Sequence, residues 1–384
     1  MARYGSLSDM TPAAGVIRLD ISRLLSRAGL GAPTGVDRVE LAWIEWALSP
    51  RWRDAQFVAR VASGTYAIDR VDMPEVLAAV RGDAVPTLDA RGAISLKKRM
   101  AVRRIESLLR RRAVPMRPAE VYANVGHSNL SPRFIAEMRA KGAERVIVKI
   151  HDVIPLEYPE FARNDGPQKM RARLQAARMA DGLVFNSGDT ARRALPRINP
   201  ETQYAVAPLG IDIRAVDAPE HGGFVCLGTI EPRKNHALLL DVWAMLAAPS
   251  VLHIIGRRGW LNEAVFARLD ANPPHVREHG DLDDDAMRLM LAGARALLFP
   301  SFAEGYGLPM AEALALGVPV IASDLPALRE VGGNAATFLP TNDVSAWAAA
   351  IAAPPLRTDA ALQRWAVPRW RDHFARVDDL LHRL

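Results

Sequence analysis

A single cysteine, Cys226, in 384 residues excludes an intramolecular disulfide framework and a thiolate zinc cluster. Uncharged apolar runs are short: the longest candidate, 344–356, is Ala-rich and stops at Pro354-Pro355, well below the roughly 18 residues a spanning helix needs. The opening MARYGSLSDMTPAAG has no apolar core of a secretory signal, so a cytoplasmic chain is expected, with a peripheral place at the inner face of the cell membrane left open. Internal repeats and low-complexity tracts are absent. What remains is an ordinary globular composition, 49% hydrophobic and 24% charged, at a length that suits two domains.

The 49 Lys and Arg against 43 Asp and Glu give a net charge of +6, which invites a polyanion partner. The excess is local. Residues Lys97–Arg117 hold nine basic side chains and one Glu, so the rest of the chain sums to −2. On a helix, Ala101, Ile105, Leu108 and Leu109 would share one side, giving a basic amphipathic helix suited to an anionic membrane surface. A solvated helix packing that stripe on its own domain is the competing expectation. A nucleic-acid face should be broad, and one tract holds this excess, so no nucleic-acid partner is expected.

Short β-branched runs alternate with helix-period segments, the pattern of βα units around parallel sheets. Strands are expected over 16–21, 56–61, 145–150, 182–186, 223–227, 251–255, 296–299 and 319–322. Helices are expected over 37–48, 131–141, 166–179, 235–246, 284–292 and 309–316. An irregular stretch after Pro208-Leu209-Gly210-Ile211-Asp212 marks a boundary, giving domains 1–210 and 211–364 and a closing amphipathic segment, 365–384.

Two loops carry chemistry. In FPSFAEGYGLPMAEALALG, 299–317, a strand ends at Phe299 and a loop bears Glu304, Gly305 and Gly307. A helix is then expected with Pro309 at its first position, stopping before Gly317. Such a strand, glycine loop and helix N-terminus suit an anion, because free N–H groups and the helix dipole point at it. Glu304 and Glu312 cannot bind phosphate themselves and suit the hydroxyl-rich groups beside it. Glu312 in a first helical turn also has a plain explanation, complementing the dipole; Glu304 does not. The second loop is Gly228-Thr229-Ile230-Glu231-Pro232-Arg233-Lys234-Asn235, where Arg233 and Lys234 can pair with a diphosphate. Both loops would open at the C-terminal edge of one parallel sheet, where such folds bind ligands.

These residues resemble retaining GT-B glycosyltransferases of family 4, the group 1 glycosyltransferases: two Glu around G-Y-G-L-P, preceded by E-P-R-K-N and L-H-I-I-G. His151-Asp152, the run Asp181–Ser187 and Ala207–Asp212 resemble that family's cleft segment, strand-plus-serine and hinge. The resemblance implies a GT-B fold, two Rossmann-like domains facing across a cleft, the first binding the acceptor and the second the nucleotide-sugar. In that arrangement the closing helix crosses back to the first domain. It also implies roles. His151 and Glu304 would be the catalytic pair at the donor sugar, and Glu312 would hold the ribose hydroxyls. Arg233 and Lys234 would bind the diphosphate, helped by the backbone of Tyr306, Gly307 and Leu308, with Gly228 and Thr229 in the same loop. Gly35, in Thr34-Gly35-Val36-Asp37, would lie in the first loop at the cleft. Two departures stand out: only one Gly appears in that first loop, and Thr229 stands where the family often has Arg.

The activity implied is retaining transfer of a sugar from a GDP- or UDP-linked donor to a saccharide or lipid-linked acceptor in surface polysaccharide assembly, without metal or other cofactor. E-P-R-K-N tilts the donor toward a GDP-linked, mannose-type sugar. Rival readings lack support. Asp281–Asp285 has D-x-D spacing, yet it precedes a helix where acidic caps are the default. A dinucleotide enzyme would need G-x-G-x-x-G, and Gly256-Arg257-Arg258-Gly259 does not supply it. A scaffold without turnover, or a basic nucleic-acid-binding protein on the same fold, would have no use for Glu304, Glu312, Arg233 and Lys234 together.

Overall fold

Two β-sheets follow one another along the chain in the computed structural model, which describes residues 13–27, 34–81, 91–212, 216, 218–247 and 249–384. The first sheet is built from β1 (Ala13–Asp20), β2 (Trp52–Val61), β3 (Gly64–Asp69), β4 (Ala119–Asn124), β5 (Ala143–Ile150), β6 (Gly182–Phe185) and β7 (Gln203–Val206). Its spatial order is β3-β2-β1-β4-β5-β6-β7. All pairings are parallel except the hairpin β2–β3. The second sheet holds β8 (Phe224–Leu227), β9 (Leu252–Ile255), β10 (Val276–His279), β11 (Ala296–Phe299), β12 (Val320–Ser323) and β13 (Thr337–Leu339). Its order is β10-β9-β8-β11-β12-β13, parallel throughout. In both sheets the strand order reverses beside the first strand, at β1/β4 and at β8/β11. Such a reversal opens a crevice beyond the strands' carboxyl ends.

Central strands read as apolar because helices cover both faces. β6, β11 and β12 are buried along their whole length. The first domain's core is closed from a great distance in sequence. The helix Trp370–Arg383 lays Phe374 flat on Trp46, ring centroids 4.8 Å apart, while Trp43 and Trp52 meet Trp46 edge-on at 5.3 and 5.2 Å. His373 on the same helix accepts from Trp43 Nε1 at 3.2 Å and donates to the Pro208 carbonyl at 3.0 Å. Burial holds that imidazole well below its usual pKa, so it is neutral, in the tautomer these two bonds require.

Residues 97–112 of the basic tract form the C-terminal part of one helix, Arg91–Arg112, and Arg117 lies beyond its end. Its apolar stripe is not available to a membrane: Ile105, Leu108 and Leu109 are buried in the first domain's core, with Ala101 packed beside them. Arg103, Arg104, Arg110, Arg111 and Arg112 face solvent. Some of that charge is matched, Arg112 by Glu75 at 2.8 Å and Arg117 by Asp54 and Asp69, both at 2.8 Å. The side chains of Lys97, Lys98 and Arg99 lie outside the described residues.

Two smaller expectations are also corrected. Gly35 is the first residue of the helix Gly35–Leu48 rather than part of a loop, because the Asp37 carboxylate accepts from the Thr34 backbone N–H and hydroxyl, both at 2.7 Å, and starts the helix there. The helix after Gly307 begins at Leu308, with Pro309 second.

Candidate functional site

The loops after β8 and β11 are neighbours because those strands flank the reversal in the second sheet. Three side chains from them converge. Lys234 Nζ lies 2.6 Å from Glu304 Oε1, and Arg233 Nη1 lies 2.9 Å from the same oxygen. Arg233 is braced from behind by the Glu231 carboxylate at 2.7 Å and by the Ala303 carbonyl at 2.8 Å. Its own carbonyl accepts from Phe302 N–H at 2.8 Å, which ties one loop to the other. Lys234 rests with its ammonium 4.6 Å from the centre of the Phe299 ring and its stem beside Gly228. Thr229 turns its methyl to Gly259.

Burial sets the electrostatics. Lys234 and Glu304 are each only 8% exposed. Burial would raise the Glu304 carboxyl, but Arg233 and Lys234 overcome it and hold the group at about 2. Burial pulls the Lys234 ammonium below its usual value against the pull of Glu304. Arg233 is desolvated too, yet Glu304 and Glu231 keep it firmly charged. The half-buried Asp152 approaches from the first domain; burial raises its carboxyl, and Arg233 opposes the rise. The site is thus two fixed cations matched by carboxylates in a buried crevice, where charge is worth far more than in water.

The glycine loop bends over this cluster. Gly307 has φ +96°, the left-handed conformation that a side chain disfavours, and it caps the helix Leu308–Ala315. Pro309 has no N–H, and Met310 and Ala311 donate to the Gly307 carbonyl at 3.0 and 3.1 Å, so the first turn's amide left for a ligand is that of Leu308. Gly305 is there for space: a Cβ would lie 2.3 Å from the His151 carbonyl oxygen. Tyr306 sends its hydroxyl to the Leu209 carbonyl at 2.9 Å, at the segment joining the two sheets. Leu308 touches Gly35 across the cleft.

Glu312 sits on the second turn of its helix, out of the dipole's reach, so the plain explanation for it fails. It is 6% exposed, and burial raises its carboxyl. Arg38, on the helix Gly35–Leu48 of the first domain, bonds to Glu312 and reaches Asp284 at 3.3 Å. His151 is buried just after β5. Its Nε2 donates to the Val125 carbonyl at 2.7 Å, which leaves Nδ1 as acceptor, facing Asn186 Nδ2 at 3.4 Å. Burial holds this imidazole well below its usual pKa. It is therefore neutral and poorly suited to proton transfer. Asp283, inside the D-x-D run, accepts from Ala286 N–H at 2.8 Å and caps the helix Asp284–Ala292.

Sequence reasoning gave no role to Arg38, Glu231, Ser187 and Thr190, which touch this site or its loops, or to Glu330, which holds the helix Gly188–Ala194. Glu231 carried a signal, standing beside Arg233 in the same loop, and Ser187 closed the strand-plus-serine run. The others meet their partners across the cleft.

Residues 221–353 match the family model of group 1 glycosyl transferases. O-antigen chain mannosyltransferase B of Escherichia coli is 27% identical over 230 residues, covering 54% of this chain and 60% of that protein, so the chain spans less than two thirds of its relative's length. A sucrose-phosphate synthase from Thermosynechococcus elongatus shares the fold over 96% of this chain and 98% of its own, with TM-score 0.62 at 16% identity. HepE of Anabaena, solved in complex with UDP, does so over 96% and 100%, with TM-score 0.62 at 15% identity. The architecture is GT-B.

Proposed function

With residues 221–353 a group 1 glycosyltransferase domain in a GT-B fold, we propose that this chain is a glycosyltransferase. It moves a sugar from a nucleotide-diphosphate donor to a saccharide or lipid-linked saccharide in surface polysaccharide assembly. The observation that carries the reading is the convergence of Arg233 and Lys234 on Glu304 at the β8/β11 reversal. The mannosyl activity named for the Escherichia coli relative supports a mannose-type sugar, and the UDP named for the Anabaena neighbour keeps the base open between GDP and UDP.

The chemistry follows from charge. The bond between the anomeric carbon and the β-phosphate oxygen breaks, and its electron pair leaves with the phosphate. Arg233, Lys234 and the amides at Gly307 and Leu308 meet that developing charge already in place, and losing one such contact costs about 3–4 kcal/mol. The acceptor hydroxyl oxygen bonds to the same face of the anomeric carbon. Its proton passes to the departing phosphate oxygen, and configuration is retained. Glu304, anionic at neutral pH, holds sugar hydroxyls, and the neutral His151 lines the reaction centre without exchanging a proton. Glu312 takes the ribose hydroxyls once Arg38 gives way. Two cations beside the diphosphate do the work of a metal, so we propose no metal cofactor. The exposed arginines of the helix Arg91–Arg112 suit an anionic membrane surface by charge alone, which would keep the chain peripheral to the membrane.

Glu304→Gln keeps the side chain's size and removes its charge. Transfer should fall at least about 100-fold, while a thermal-shift panel of GDP, UDP, ADP and their sugar conjugates still finds one stabilising nucleotide. Turnover within a few-fold of wild type in that variant overturns the reading, as does loss of transfer in chelator.

A further inference from the structure

The loop carrying Glu304 is gripped by the other domain at its next residue. Gly305 has no room for a side chain against the His151 carbonyl, and its own carbonyl accepts two hydroxyl protons from just beyond β6. Ser187 Oγ donates at 2.8 Å and Thr190 Oγ1 at 3.1 Å. The two hydroxyl oxygens also lie 3.1 Å apart; with each single proton given to Gly305, Ser187 Oγ keeps a lone pair for the Thr190 backbone N–H at 3.1 Å. Both lone pairs of the Gly305 carbonyl are thereby used, and both donors are buried. The short helix that carries them, Gly188–Ala194, is itself held from the second domain. Glu330 accepts from the backbone N–H groups of Gly188 and Asp189, both at 2.7 Å.

We propose that Ser187 and Thr190, seated by Glu330, are positioning residues for the Glu304 loop: they fix the Gly305 carbonyl and so set where the carboxylate stands against Arg233 and Lys234. Three consecutive residues are then tied to three different parts of the molecule, Glu304 to the cations, Gly305 to the first domain and Tyr306 to the joining segment. A carbonyl held by two hydroxyls cannot drift without leaving buried donors unpaired, which is costly. The carboxylate one residue away inherits that stiffness. The role is distinct from donor binding, because Ser187 and Thr190 bond to the Gly305 backbone carbonyl, whereas Arg233 and Lys234 bond to the Glu304 carboxylate.

The kinetic arm of the test rests on the transferase reading; the exchange arm does not. Thr190→Val removes one donor while preserving shape and the Ser187 cap, and Ser187→Ala removes the other. In the full chain, amide exchange of the segment 301–308 should speed up about tenfold in Thr190→Val, with the rest of the second domain unchanged. Affinity for UDP or GDP, whichever stabilises the wild type, should stay within about twofold, while kcat falls about tenfold, since one hydrogen bond to the loop is worth about that much. Thr190→Ser restores the hydroxyl and should return both readouts close to wild type. Unchanged exchange at 301–308 in both Val and Ala variants overturns the proposal even if no donor sugar is ever transferred. A nucleotide affinity that falls in step with kcat overturns it too, by making these residues part of the binding site.

Discussion

Glu304, the residue proposed to hold the donor sugar, also ties the stability of the fold to the charge of one carboxylate. Its group is held at about 2 in the folded chain, against an ordinary Glu value near 4.3 in the unfolded one. A depressed folded pKa adds stability that is fully present above the unfolded value and is lost as pH falls through the folded one. The window here is pH 4 down to 2, and the contribution is about 3 kcal/mol at neutral pH. Denaturant unfolding of wild type and Glu304→Gln should therefore differ clearly at pH 7 and converge toward pH 2. A stability gap independent of pH would mean the carboxylate is not the titrating partner of Arg233 and Lys234. This much was legible in the chain, because Glu304, Arg233 and Lys234 each sit in a short loop between a strand and a helix. Ser187 was not legible in the same way. Its bond to Gly305 spans 118 positions, and no local pattern records which hydroxyl will meet which carbonyl across a cleft.

At the scale of elements, the missed strands share a physical cause. The eight strands expected from apolar runs are all internal to their sheets. The four at the sheet edges, β3, β7, β10 and β13, went unread. Edge strands bury only part of their surface and carry polar side chains, as Gln203-Tyr204 and Arg277-Glu278 do, so they lack the continuous apolar signal. The central β4 was also missed, for a different reason. Ala-Glu-Val-Tyr-Ala-Asn holds only a short apolar run between two polar residues: Glu120 pairs with Arg145 at 3.2 Å, and Asn124 Nδ2 donates to the Tyr122 hydroxyl at 3.3 Å. The basic helix gives the converse case. Its apolar stripe was read from spacing, but whether that stripe faces lipid or the protein's own core depends on what packs against it. With Ile105, Leu108 and Leu109 in the core, the proposed attraction to a membrane would rest on charge. Replacing Arg103, Arg104, Arg110 and Arg111 with Gln should leave the melting temperature within a few degrees and abolish co-sedimentation with vesicles containing anionic lipid. Each basic group near such a surface contributes about 1 kcal/mol. Wild-type binding should also collapse in high salt. Binding that survives both treatments would show that an apolar surface elsewhere drives it.

At the scale of the molecule, the last helix decides how the two domains depend on each other. Trp370–Arg383 follows the second domain in sequence, yet it completes the first domain's core by placing Phe374 on Trp46 and His373 between Trp43 and Pro208. It is also fixed at the junction, where Ile211 N–H donates to the Pro368 carbonyl at 2.9 Å and Trp370 Nε1 donates to Asp212 at 2.6 Å. Damage to this helix should therefore be felt first in the domain farthest from it along the chain. Phe374→Ala removes a fully buried ring from a packed aromatic cluster, a loss of about 3–5 kcal/mol. Trp43, Trp46 and Trp52 report on that cluster, so their fluorescence should show the first domain unfolding at markedly lower denaturant. In the proposed function nucleotide binding rests on Arg233, Lys234 and Glu312, all in the second sheet's domain, and should persist through that transition. A single shared transition, with nucleotide affinity lost as the tryptophans are exposed, would show instead that the cleft contacts of Arg38, Ser187 and Glu330 bind the two domains into one cooperative unit.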